Sequence, residues 1–316
     1  MTKYLLTILC SSNLELLKIS FESAANQLNY DNYDIFIVIN TLNEEFYKEV
    51  LNYYKENMHK KLKKIIRSES NGKPGKGHNS LLDIYKSEPE YEYLLILDGD
   101  DFYYPCALER INFLNENYKL DLFFLAGNTK ISKKIEISNN EIEKKIDNIQ
   151  QDINYNYNTT YTISKFQNIV SIGKEYNDII ATPFRLIATN RKIFKNYNKL
   201  FDENMKLYDD YYLYLLIYKL YNDNNFNPKN INIKIINDSY IYLYNKFNES
   251  SLSYSSNLEH DIALVNKIKK ELNIDNLYNE KLNIIPINSI FNNDENKLKQ
   301  IEDYFFRWII NKTKNL

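Results

Sequence analysis

The sequence predicts an α/β protein built on a mixed, mainly parallel sheet flanked by helices, with a helical extension at its C-terminal end. Three observations predict this. Strand-like and helix-like segments alternate through the first hundred residues, as parallel strands joined by crossover helices do. Leu94, Leu95, Ile96 and Leu97 form an unbroken apolar run, which suits a strand buried on both faces. That run stops abruptly on Asp98-Gly99-Asp100-Asp101, and open α/β sheets bind ligands at the carboxyl ends of their strands.

Taken in order, Tyr4–Leu9 is a first strand. Leu14–Leu28 follows as a helix, with Leu14, Leu17, Phe21, Ala24, Ala25 and Leu28 at helical spacing. Asp34–Ile39 is a second buried strand, Glu44–Asn57 a second helix and Lys63–Arg67 a short third strand. A glycine-rich loop at 71–77 leads into a helix over Asn79–Lys86, and Tyr93–Leu97 is the next strand. After Pro105 a helix covers Cys106–Tyr118, and a strand covers Leu120–Leu125. Asn128 to Asn177 has no clean period and reads as inserted strands and loops that could shape an acceptor pocket. Order returns at Ile187–Phe194, and a helix runs from Asp210 to about Tyr221. Ile231–Ile236 and Tyr240–Tyr244 are strand-like, and the last sixty residues look helical. There Ile301, Tyr304, Phe305, Trp308 and Ile309 make an apolar stripe, expected to pack on the protein's own core in preference to a dimer contact or a membrane surface.

Composition sets the bounds. A chain of 316 residues with 44% hydrophobic and 26% charged residues is an ordinary globular protein. A net charge of −2 gives no reason to expect nucleic acid as a partner. Cys10 and Cys106 supply neither a disulfide framework nor a metal cluster, fit a reducing compartment, and are expected to be small buried side chains. Lys3 followed by Tyr4–Cys10 superficially suggests a signal peptide, but it is short and Leu9 is wrong for a cleavage site, so a first strand explains it better. No stretch approaches the ~20 apolar residues of a membrane span, so a cytoplasmic, soluble protein is expected, at most peripheral to a membrane. The 29 tyrosines accompany abundant Asn, Lys and Ile, as A/T-rich codons would produce, and are not read as a sugar-stacking surface. Lys60, Lys61, Lys63, Lys64 and Arg67 form a basic run, read as a solvated surface ahead of an anionic lipid site.

Three segments carry chemistry. Asp98, Asp100 and Asp101 repel one another unless a positive group lies between them, and a divalent cation holding a diphosphate would relieve that repulsion. An Asp-rich turn capping the next helix is the plainer alternative. The loop Asn71-Gly72-Lys73-Pro74-Gly75-Lys76-Gly77-His78-Asn79 lacks P-loop spacing, yet its glycines permit close backbone approach and Lys73 and Lys76 are cationic. The next helix offers an anion-favouring N-terminus. Asp209 and Asp210 open a helix, either as capping residues or as a carboxylate general base.

Together these segments resemble the inverting, nucleotide-sugar-dependent glycosyltransferases of the family-2 type, which have the Rossmann-like GT-A fold. The resemblance runs from Tyr4 to about Ser253 and rests on Asn13 after the first strand, on Ser23 and Gln27 in the first helix, and on Gly77 and Asn79 before the carboxylate strand. It also rests on Asp98-Gly99-Asp100-Asp101 followed by Pro105, and on the acidic pair Asp209-Asp210. It implies a glycosyltransferase domain over 1–256 and a helical extension over 257–316, through which a homodimer could form. It further implies that Asp98 contacts the nucleotide ribose and, with Asp100, holds Mn²⁺ or Mg²⁺, while Asp101 supports the site. Asn13, Asn40, Lys73, Lys76, Gly77, Asn79 and Gly99 would complete the donor site, with a UDP-sugar the expected donor. Asp210 would deprotonate a hydroxyl of a glycan or glycoconjugate acceptor, beside Asp209, and Arg185 and Arg191 could touch acceptor or phosphate.

Two departures stand out. The family's nucleobase-reading Asp is Asn40 here, which carries no charge. The family's late metal-contacting His is missing from Tyr244-Asn245-Lys246-Phe247-Asn248-Glu249-Ser250, leaving Asn248 or His260 as substitutes. A catalytically degenerate sugar-nucleotide-binding module is therefore the main alternative, and a nucleotidyltransferase a further one that lacks a use for the late acidic pair.

Overall fold

The computed structural model describes residues 2–125, 127–133, 151–153, 161–167, 185–195, 197–204, 233–238, 240–245, 284–286 and 295–313, with 213, 267 and 270 singly. The chain opens with strand β1 (Tyr4–Cys10), helix α1 (Leu14–Ala25), β2 (Tyr33–Ile39), α2 (Glu44–Glu56), β3 (Leu62–Arg67), α3 (Pro74–Ser87) and β4 (Tyr93–Asp98). Then come β5 (Phe102–Tyr103), α4 (Ala107–Tyr118), β6 (Leu122–Leu125), β7 (Gly127–Lys133), β8 (Gln151–Ile153), β9 (Tyr161–Gln167) and β10 (Arg185–Asn190). After a 3₁₀ turn at Arg191–Lys195 come β11 (Ile233–Asn237), β12 (Tyr242–Asn245), β13 (Ile284–Pro286) and helix α5 (Glu295–Thr313).

The main sheet has eight strands in the order β13-β11-β6-β10-β4-β1-β2-β3. Among the described strands of this sheet only β10 runs antiparallel to its neighbours, so the sheet is mixed and mainly parallel, as expected. A second sheet of five strands, β5-β12-β7-β9-β8, stands beside it. Every residue of β1 is buried, and Leu94, Leu95 and Leu97 of β4 are fully buried. Each such side chain contributes about 1.5–3 kcal/mol relative to exposure. That uninterrupted burial is why these strands are read easily: a sheet covered on both faces selects apolar residues at every position.

Helix starts follow local chemistry. Asn13 caps α1 by accepting from Leu16 N at 3.0 Å, and Asn43 caps α2 by accepting from Glu45 N and Phe46 N. Helix α3 begins at Pro74, a full turn earlier than the sequence suggested, because proline is pre-set for the first helical position. The glycine segment is thus partly the first turn of a helix. Ser23 and Gln27 fasten α1 to the chain beyond β4: Ser23 Oγ accepts from Tyr103 N, and Gln27 Oε1 accepts from Leu108 N at the start of α4.

The C-terminal stripe packs inward. Phe305, Phe306 and Ile309 of α5 are buried with Phe102, Tyr104, Leu16, Ile19 and Leu243. Phe305 lies 4.8 Å from the Tyr104 ring, and Lys312 bridges to Glu22 of α1. The buried face is rotated from the expected stripe: Tyr304 is exposed, whereas Glu302 and Phe306 are buried. The last sixty residues also contain strand β13, which pairs in parallel with β11 of the main sheet. The expected Asp210–Tyr221 helix lies outside the described residues, apart from helical Leu213. Among the described residues, no helix is long and apolar enough to cross a membrane.

Candidate active site

Strands β1, β2 and β4 run in parallel and end together, with Leu9 in register with Asp98. Their carboxyl ends bring Cys10, Asn40 and the Asp98–Asp101 turn side by side. The turn is held by Gly99 N donating to Leu9 O at 2.7 Å and Asp101 N donating to Asp98 O at 3.0 Å. Gly99 is required there, since a Cβ would stand 2.8 Å from Cys10 Cβ and 3.0 Å from Leu9 O. Burial pushes the Cys10 thiol up to about 12, with the charge of Asp100 adding to the shift, so Cys10 is a neutral neighbour of the site.

The three acids have different surroundings. Asp101 is 1% exposed; it accepts from Tyr242 OH at 2.5 Å and from Asn245 N at 2.8 Å, which ties the turn to β12 of the second sheet. Asp98 and Asp100 are partly exposed. Asp98 Oδ1 lies 3.1 Å from His78 Nε2, and its backbone oxygen accepts from Ser20 Oγ.

The glycine segment is organised by Asn40. Its Oδ1 accepts from Ser70 Oγ and from Gly72 N, its Nδ2 faces Lys73 O at 3.4 Å, and its backbone oxygen accepts from Gly72 N at 2.7 Å. At 3% exposure, with its amide so engaged, Asn40 shapes the loop. Gly77 lies against the same side chain, where a Cβ would come within 2.5 Å of Asn40 Nδ2. The close approach expected of the glycines is thus an approach to the protein's own β1 and β2 ends. Lys73 and Lys76 are exposed beside it, with Lys76 Nζ donating to Glu69 O. Asn13, also exposed, has its side chain in the α1 cap.

Asn79 faces the other way and is 4% exposed. Its Nδ2 donates to Phe201 O at 2.9 Å and to Glu203 Oε1 at 3.2 Å, while its Oδ1 accepts from Leu200 N and Phe201 N. Glu203 titrates below the usual range because Lys199 donates to it, with Asn79 adding to the effect and outweighing partial burial. Asn79 therefore docks the start of the segment that continues to Asp209 and Asp210, which themselves lie outside the described residues, as do Asn248 and His260.

Sequence reasoning passes over two residues that matter here. His78 figures in it only as part of the glycine loop, yet it contacts Asp98 and stacks on Phe201 with centroids 4.7 Å apart. Tyr242 pins Asp101. The signal for His78 is its scarcity, as one of three histidines, within a segment already singled out; a tyrosine among 29 gives no signal. Arg191 turns out to cap α3: its guanidinium donates to Tyr85 O at 2.7 Å, to Lys86 O and to Glu88 O, complementing the helix C-terminus. The side chain of Arg185 lies outside the described residues.

As for a cation, no group of three or more His, Cys, Asp or Glu side chains converges among the described residues. Two partly exposed carboxylates, Asp98 and Asp100, nevertheless suit Mg²⁺ or Mn²⁺. Such ions are held by one or two carboxylates together with substrate phosphates, and they retain water.

Comparisons with known proteins bear on the fold and the family. The fold is shared with the S. aureus TarS fragment 1-349 in complex with UDP-GlcNAc, at a TM-score of 0.53 and 16% identity over 87% of this chain and 68% of that one. The same fragment in complex with UDP gives 0.51 and 13% identity over 99% and 73%. No curated protein sequence matches the chain. The glycosyl transferase family 2 model, however, matches residues 8–169, just over half of the chain, and so takes in the Asn13 cap, the Asn40 loop, His78–Asn79 and the Asp98–Asp101 turn; the chain is a glycosyltransferase and belongs to glycosyl transferase family 2.

Proposed function

We propose that the chain transfers a sugar from a nucleotide-diphosphate sugar, with UDP as the nucleotide, to a hydroxyl of a glycan or glycoconjugate, inverting the anomeric centre. The observation that carries this reading is the pair of partly exposed carboxylates, Asp98 and Asp100, at the carboxyl end of β4. The shared fold with structures containing UDP and UDP-GlcNAc supports the choice of nucleotide.

In this reading Asp98 receives the ribose and, with Asp100, holds a divalent cation whose charge offsets that of the diphosphate leaving group. The exposed Lys73 and Lys76 add positive charge beside the donor. Asp210, next to Asp209, takes the proton from the acceptor hydroxyl. The resulting oxygen nucleophile attacks the anomeric carbon opposite the diphosphate, and the carbon–oxygen bond to phosphate breaks with its electron pair leaving on UDP. Asn40 acts by shaping the 70–73 loop. Buried, unpaired Cys10 and Cys106 suit a reducing compartment, and we assign the reaction to the cytoplasm.

The test is thermal-shift binding across a panel of nucleotide sugars, each with Mn²⁺, with Mg²⁺ and with EDTA. A ligand bound to the native state raises its stability. Stabilisation by a UDP-sugar that disappears with EDTA is the expected result. Silence across the whole panel would overturn the donor reading, whereas binding of a nucleotide sugar with neither transfer nor hydrolysis would favour the degenerate binding module.

A further inference from the structure

One side chain touches both halves of the candidate site. The His78 ring stacks on Phe201, with centroids 4.7 Å and planes 29° apart, while its Nε2 stands 3.1 Å from Asp98 Oδ1. The adjacent Asn79 fixes Leu200 and Phe201 through their backbone, so Phe201 is a firm wall for the ring to rest on. We propose that His78 is a positioning residue: braced against Phe201, it sets the orientation of the Asp98 carboxylate that receives the nucleotide, and so links the donor side of the site to the segment leading to Asp209 and Asp210. The inference rests on the donor role of Asp98 proposed above.

The physical case turns on where this contact lies. The side chains of His78 and Asp98 are 13% and 24% exposed, so the contact is sheltered enough to hold its geometry yet still open to a ligand. Its effect is geometric, because a carboxylate held through one oxygen loses rotamer freedom before the ligand arrives. Groups that orient ligating side chains in this way change affinity 10–100-fold when they are removed. A residue serving packing alone would need no ring nitrogen facing Asp98.

The experiment has two readouts on the full chain. In the ligand-free protein, ring-proton NMR of the three histidines, assigned with His78→Phe, reports the contact directly. Phe201→Leu should move the His78 signals by removing the ring current, and Asp98→Asn should move them again. UDP with Mn²⁺ is then titrated. His78→Phe keeps an aromatic ring on Phe201 and the thermal midpoint but should weaken UDP about ten-fold, and His78→Asn should recover part of the loss. Signals unmoved by both Phe201→Leu and Asp98→Asn would dismiss the contact. Moved signals with unchanged UDP affinity in His78→Phe would dismiss the positioning role and leave the donor reading intact. Wild-type protein that binds neither UDP nor any panel nucleotide would remove the donor reading, and the positioning role with it.

Discussion

The two edges of the parallel sheet carry charge in opposite ways. At the amino edge, where β1, β2 and β3 begin, a cleft of about 530 Å³ is lined by Lys3, Asp31, Asp34, Lys60, Lys61 and Lys63. Ion pairs run across it: Lys3 lies 3.0 Å from Asp34, Lys63 3.7 Å from Asp34, and Lys61 2.9 Å from Asp31. Further along β3, Lys64 pairs with Glu88 and Arg67 with Glu44, so much of the basic run neutralises neighbouring acids. At the carboxyl edge three acids crowd one turn, and the fold turns Asp101 towards Tyr242 and Asn245 while leaving Asp98 and Asp100 partly exposed. The ion pairs at the amino edge fasten neighbouring segments together, whereas the carboxyl edge keeps two carboxylates within reach of solvent.

That contrast can be broken by experiment. The largest effect belongs to the chemistry: Asp210→Asn should cut turnover by roughly 10²–10⁴-fold, the usual share of a general base. UDP affinity and thermal midpoint should be unchanged, whereas Asp100→Asn should weaken metal-dependent UDP binding. Equal loss of UDP affinity in both variants would show that the two acids do not divide the work. Asp101 lies on the boundary between chemistry and scaffold. Asp101→Asn should lower unfolding free energy by about 2 kcal/mol, in the range for hydrogen bonds to a charged group, and should also impair donor binding. Urea titration and UDP titration of the same preparation would separate the two losses, and an unaltered urea midpoint would mean that Asp101 is not the pin described above.

The smallest effect lies at the amino edge. Partial burial would raise the Asp34 carboxyl, but hydrogen bonds from Lys3 and Tyr91 and the charge of Lys63 outweigh it, so the group sits below its ordinary value. A depressed folded value gives stability that is present above the unfolded pKa and lost as pH falls through the folded one. Wild type should therefore lose this contribution from about pH 4 downward, and Asp34→Asn should lack that part of the acid limb. The difference at neutral pH should not exceed about 1 kcal/mol, as for partly exposed ion pairs. Urea midpoints measured against pH would decide it, and turnover should be unaffected.

The main sheet was legible because its central strands are buried on both faces and so declare themselves as apolar runs. β4 is the best case, where the run ends on the acids themselves. The start of α3 was misplaced because three glycines suggested a loop, while the decisive residue was Pro74, which begins a helix in which Gly77 serves close packing. Asn40 was identified by position, but its work on the 70–73 loop depends on Ser70 and Gly72, whose contacts no local pattern encodes. Arg191 was undecided for the same reason: capping α3 is a tertiary fact between segments far apart in sequence. The pinning of Asp101 by β12 was invisible because tyrosine abundance hides any single tyrosine.

Helix α5 packs on Phe102 and Tyr104, immediately beyond the carboxylate turn, yet it is the last described element to be synthesised. On the ribosome the β1–β4 sheet can form before this helix is made, and the part of that aromatic surface covered by α5 stays open until residues 295–313 emerge. Domains fold progressively from the N-terminal side during synthesis, and exposed apolar surface in such intermediates favours association. The nascent chain thus carries a sticky patch from the synthesis of β5 until α5 emerges, and its exposure to aggregation over that interval is set by how quickly α5 follows.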